Sequence, residues 1–85
     1  MKTIRLFYLR NCPFCKRAFV YIDELRKQDK YKNIELETVE ESEQPDLADK
    51  FDYFYVPTFY LDNVKVHEGG IFPDEVKAIF DRALK

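Results

Sequence analysis

Every proline in this chain stands where a segment is due to begin, and its only two glycines are adjacent. Proline fixes its own φ and donates no backbone hydrogen bond. It therefore suits the first turn of a helix or the head of a strand, and little else inside regular structure. Pro13, Pro45 and Pro73 each precede residues with helical apolar spacing, whereas Pro57 heads an apolar, aromatic run. Gly69-Gly70 closes a strand-like segment. These breaks divide the 85 residues into short elements with no linker, repeat or low-complexity stretch between them, as expected of a single domain over residues 1–85.

The elements follow from the periodicity between the breaks. Thr3 to Leu9 alternates Ile4, Leu6 and Tyr8 with Thr3, Arg5 and Phe7, which predicts a strand. Ala18, Ile22 and Leu25 recur at helical spacing, predicting a helix from about Pro13 to the polar Lys27–Lys30 region. Asn33 to Val39 reads as a second strand with Ile34 and Leu36 on one side. Pro45-Asp46 opens a short helix carrying Leu47, Ala48 and Phe51. Val56 to Leu61 and Val64 to Glu68 flank Asp62-Asn63, a hairpin turn. Pro73-Asp74-Glu75 opens a last helix with Val76, Ile79, Phe80 and Leu84 facing inward. The order is β-α-β-α-β-β-α. Connection rules leave few assemblies for that order, and a four-stranded mixed sheet flanked by three helices is the natural one.

Composition narrows the function. Fourteen basic residues against sixteen acidic ones give a formal charge of -2, with no basic stripe for nucleic acid. No apolar run approaches the roughly 20 residues of a membrane span, and the start runs straight into a strand pattern without a signal-like stretch. A cytoplasmic, monomeric protein that engages neither nucleic acid nor membrane is expected. There are two cysteines, and a close pair in a reducing compartment points to catalysis or metal binding rather than a disulfide framework.

That pair is Cys12-Pro13-Phe14-Cys15, at the join of the first strand and first helix. A helix N-terminus carries unpartnered N–H groups and a partial positive charge, which favour a thiolate. Cys12, just outside the helix, is the expected nucleophile, with Arg10, Lys16 and Arg17 adding positive potential. Cys15, one turn along, is the expected resolving thiol, and Pro13 restrains the turn between them. A zinc site needs four ligands, and beyond this pair the chain offers only His67. A structural disulfide closing so short a loop would constrain the unfolded chain little. No metal and no tightly bound cofactor are expected.

Cys-Pro-Phe-Cys after the first strand, Val56-Pro57 before the third and Gly69-Gly70 before the last helix together resemble glutaredoxins over nearly the whole chain. The resemblance implies a thioredoxin-like α/β fold of the glutaredoxin type. It implies reduction of disulfide-containing proteins or glutathione mixed disulfides, with glutathione as a candidate co-substrate. It also implies a cis bond before Pro57, a Val56 backbone that pairs with an extended thiol substrate, and a Gly69-Gly70 backbone approached by the γ-glutamyl end of glutathione. Arg10, Pro13 and Phe14 complete the expected substrate-binding set.

The chain departs from the glutaredoxin pattern at three places. Leu9 stands where the family often has Lys, Tyr55 where it has Thr, and Ile71-Phe72-Pro73 intervenes between the double glycine and Asp74. The stretch from Val56 to Asp62 also resembles thioredoxins. That leaves a second reading open: a thioredoxin-like electron donor reduced by a flavoprotein reductase, serving one enzyme such as a ribonucleotide reductase or a peroxidase. A third, a dimer holding an iron–sulfur cluster through Cys12 as some glutaredoxins do, is disfavoured by the stiff Pro13. Phe54 and Tyr55 are candidates for substrate contact and Phe59 for the core. Glu40, Glu41 and Glu43 read as a solvated loop, and His67 as a surface residue.

Overall fold

The computed structural model describes all residues from Met1 to Lys85. Three helices begin on prolines: α1 is Pro13–Leu25, α2 is Pro45–Ala48 and α3 is Pro73–Ala83. The strands are β1 (Ile4–Tyr8), β2 (Leu36–Glu40), β3 (Thr58–Leu61) and β4 (Val64–Glu68). They form one sheet in the order β2-β1-β3-β4. β1 and β2 pair in parallel through Ile4 and Leu36, and β1–β3 and β3–β4 pair antiparallel.

The alternation in β1 buries both of its faces. Ile4 and Leu6 join Ala18, Ile22, Phe59, Val76, Ile79 and Phe80 in the larger core cluster. Phe7 points the other way, into a smaller cluster with Val39, Ala48 and Tyr60. Its ring centroid lies 4.9 Å from those of both Phe51 and Tyr53. A fully buried large apolar side chain such as Phe7 stabilises the fold by about 1.5–3 kcal/mol, and the partly buried Phe51 and Tyr53 pack the segment after α2 against it.

Several boundaries differ from the periodic reading, each for a local reason. α1 ends at Leu25 and is followed by a 3₁₀ turn over Asp29–Tyr31. Arg26 donates to the carbonyls of Lys32 and Ile34 at 3.0 and 3.1 Å and holds that turn together. Ile34 is buried in the larger cluster from the connection before β2, so its alternation marks packing rather than strand. β3 starts at Thr58 because Val56 and Pro57 lie outside the ladder; the Pro57 carbonyl accepts the N–H of Gly69 at 2.8 Å. The hairpin turn puts Asp62 at φ 54°, and its carboxylate accepts the N–H of Thr3 at 3.0 Å. No helix is long and apolar enough to cross a membrane.

Candidate active site

The site lies where β1 hands over to α1, opposite the segment that leads into β3. Cys12 is the residue immediately before α1, with an extended backbone (φ -84°, ψ 120°), and Pro13 supplies the first helical turn. Cys12 is half-buried, whereas Cys15 is 1 % exposed. Burial pushes the Cys15 thiol well above its ordinary range. The neighbouring Cys12 sulfur adds to that shift and the backbone of Leu9 works against it. The two cysteines thus sit side by side, one partly exposed and one buried as a neutral thiol.

Across from them, the Val56–Pro57 peptide bond is cis, as the glutaredoxin resemblance implies. The Val56 carbonyl oxygen lies 3.9 Å from the Cys12 sulfur. Two of the preceding residues are among the most exposed aromatics of the chain, Phe54 at 87 % and Tyr55 at 70 %. Their backbone is not loose. The Glu68 carboxylate, at the end of β4, accepts the N–H groups of both Phe54 and Tyr55, and also the Lys65 ammonium at 2.8 Å. Lys65 first, then the two backbone donors, hold the Glu68 carboxyl down at about 2. Thr58 adds a hydroxyl bond to the Tyr55 carbonyl.

The double glycine closes the third side. Gly69 has φ +92°, in the region L side chains avoid, and Gly70 packs its bare Cα face against Phe14. A Cβ on Gly70 would come within 3.2 Å of the Phe14 ring. His67, read from sequence as a surface residue, is instead half-buried and bonds the Gly70 carbonyl at 2.8 Å through Nε2.

The basic residues separate into two kinds. Arg10 is ion-paired with Glu43, so its charge is already answered within the chain. Arg17 takes part in no ion pair and stacks its guanidinium 5.4 Å over the Phe14 ring. The acidic loop needs a correction. Glu40 is not solvated: it is 6 % exposed and accepts the Arg10 N–H at 2.9 Å and the Ser42 N–H at 2.7 Å. The Ser42 hydroxyl, the largest contributor, and these N–H groups lower its pKa. Glu40 thereby ties the end of β2 to the loop that carries Cys12. Neither Glu40 nor Glu68 was marked by sequence as part of the site. No group of three or more His, Cys, Asp or Glu side chains is arranged to hold a metal ion.

A dithiol at the head of a helix, facing a cis-proline segment on this β-α-β-α-β-β-α sheet, defines a thioredoxin-fold protein. Residues 6–81 match the family described as glutathione S-transferase, N-terminal domain, and the chain belongs to that family. Among curated proteins, none matches this chain. Solved structures agree on the fold. The oxidised thioredoxin of Plasmodium falciparum is 23% identical, with 95% of this chain and 79% of that one covered and a TM-score of 0.74. The thioredoxin of Malassezia sympodialis is 17% identical, over 99% and 76% of the two chains, with a TM-score of 0.78. An uncharacterised thioredoxin-like protein from Clostridium perfringens is 27% identical, over 98% and 71%, with a TM-score of 0.69.

Proposed function

We propose that this protein is a thiol–disulfide oxidoreductase of the dithiol glutaredoxin type, acting through Cys12 and Cys15. The observation that carries the reading is the asymmetry of the pair. Cys12 is accessible at the unpartnered N-terminus of α1, and Cys15 is buried one turn behind it as a protonated thiol.

The chemistry follows from that asymmetry. The Cys12 thiolate attacks one sulfur of a substrate disulfide; a Cys12–substrate bond forms, the substrate S–S bond breaks, and the other half leaves as a thiol. Cys15 then gives up its proton and attacks the Cys12 sulfur. The mixed disulfide breaks, the second substrate thiol leaves, and a Cys12–Cys15 disulfide remains. Two electrons have passed to the substrate, and an external dithiol or two monothiols must return them.

The source of those electrons divides two versions of the reading. Glutathione would make the protein a glutaredoxin in the full sense. A flavoprotein reductase would make it a thioredoxin-like donor, and one observation bears on this version: Arg10, the cation nearest Cys12 in sequence, pairs with Glu43 at the exposed surface, a weak contact that a glutathione carboxylate would have to displace. Reduction of hydroxyethyl disulfide by glutathione, coupled to glutathione reductase, separates the two, with Cys12→Ser as control. Turnover lost in the variant supports the glutaredoxin version. No turnover with glutathione, but insulin reduction driven by dithiothreitol or a flavoprotein reductase, supports the donor version. Inactivity in both assays, with Cys12 intact and reduced, overturns the reading.

A further inference from the structure

A cavity of about 200 Å³ opens between α1 and the turn after the double glycine, and one of its lining residues, Phe14, stands between the two cysteines in sequence. Phe14, Arg17 and Tyr21 line one wall, spaced along one face of α1, and Gly70, Ile71 and Phe72 line the other. The cavity is smaller than the ~300–1,000 Å³ of sites that enclose a whole drug-sized ligand. It is sized for one large side chain of a bigger partner. Its rim is apolar and open, with Phe14 54 % and Phe72 70 % exposed. Apolar side chains grouped around an open cavity and edged by a charge form the kind of surface that can take a partner's side chain.

Arg17 supplies the one charge. Arg5 and Arg10 are neutralised by Glu37 and Glu43, but Arg17 has no carboxylate partner and lies over the Phe14 ring at the mouth of the cavity. A planar guanidinium held on an aromatic face keeps its donors aligned for a carboxylate. The three residues that set this chain apart from the glutaredoxin pattern after the double glycine, Ile71-Phe72-Pro73, include two of the lining residues.

We propose that this cavity is a specificity subsite for protein disulfides: it takes a large apolar side chain beside the target cysteine, while Arg17 pairs with a flanking Asp or Glu. The proposal rests on the reading of Cys12 as the attacking thiol, which lies two residues before Phe14.

The test uses the full reduced chain and two synthetic peptides, Cys-Phe-Glu and Cys-Phe-Lys, each as a mixed disulfide with 2-mercaptoethanol. The Glu peptide is expected to show a kcat/KM about three- to tenfold higher, the scale of a charge-assisted pair at a partly exposed site. Arg17→Glu is expected to reverse that preference. Because the readout is a ratio between two peptides, any effect of the substitution on the cysteine itself cancels. No preference in the wild type, or a preference that survives Arg17→Glu, overturns the subsite. Glutathione disulfide, which carries carboxylates but no large apolar side chain, is expected to lose less rate on Arg17→Glu than the Glu peptide does. A loss there as large as with the Glu peptide would assign the cavity to the tripeptide and overturn the protein-segment proposal. Failure of the wild type to reduce any of these disulfides would strike at the oxidoreductase reading instead.

Discussion

Glu68 accepts the backbone N–H of Tyr55 at 2.9 Å, joining the end of β4 to the segment that faces Cys12. The same carboxylate holds the Phe54 N–H, so one side chain anchors two consecutive amides just before Val56 and Pro57. Hydrogen bonds to a charged acceptor contribute more than neutral ones. Glu68→Ala is therefore expected to release this segment locally while the sheet stays folded. Amide hydrogen exchange should accelerate at Phe54 and Tyr55 and stay unchanged in β1, with disulfide reduction slowed several-fold. Glu68→Gln, which keeps an acceptor, should fall between. Unchanged exchange at both amides in the alanine variant would remove Glu68 from this role.

The same residue makes a prediction about acid. Lys65 and the two amides keep folded Glu68 ionised down to about 2. The Tyr31 hydroxyl, then Lys77 and Lys30, do the same for Asp81, also at about 2. In the unfolded chain both carboxylates take up a proton near pH 4. Between about pH 4 and 2 the unfolded state therefore binds more protons, and stability falls as the pH falls. Urea denaturation across that range should show a shallower loss of stability in Glu68→Gln and Asp81→Asn than in the wild type. Parallel curves for wild type and variants would show that neither carboxylate carries the dependence.

How much of this was legible in the sequence depended on the kind of interaction. Pro13, Pro45 and Pro73 announce their helices because proline's constraint is local and lies in the residue itself. The Cys12/Cys15 pair is legible for the same reason: its chemistry depends on spacing along one turn. Glu40 and Glu68 are different. Their bonds reach backbone groups thirty and thirteen residues away, and such contacts leave no periodic mark on the chain. Glu40 even sits in a run of acidic residues that imitates a solvated loop. Ile34 misled in the opposite sense, because an apolar residue packing from a connection has the same alternation as one in a strand. The cavity beside Phe14 needed the fold, since α1 and the Gly70–Phe72 turn meet only in three dimensions.

The cysteine pair should react unequally. At neutral pH, iodoacetamide is expected to place a single adduct on the reduced protein, at Cys12, because Cys15 is buried and its thiol is held in the neutral form. Cys12→Ser should stay unlabelled over the same time, and Cys15→Ser should label like the wild type. With a disulfide substrate, Cys15→Ser is also expected to stall as a covalent mixed disulfide visible by intact mass. Equal labelling of both thiols in the native protein would contradict the asymmetry on which the proposed chemistry stands.

The adjacent glycines predict opposite results from the same substitution. Gly69 has open space where a Cβ would stand but a φ of +92°, so Gly69→Ala carries backbone strain of about 1–2 kcal/mol. Gly70 is not in that region, but its added Cβ would meet the Phe14 ring at 3.2 Å. That ring is 54 % exposed and can turn aside, so Gly70→Ala should stay within about 0.5 kcal/mol of the wild type. What it should change is the cavity wall, since Phe14 and Gly70 both line it. Chemical denaturation then separates the two positions: a loss of stability at Gly69 and almost none at Gly70. The cost at the second position would instead appear as weaker discrimination between peptide disulfides with and without a large apolar side chain. A large loss of stability at Gly70 would mean that the Phe14 ring is locked in place, and the cavity more rigid than its exposure implies.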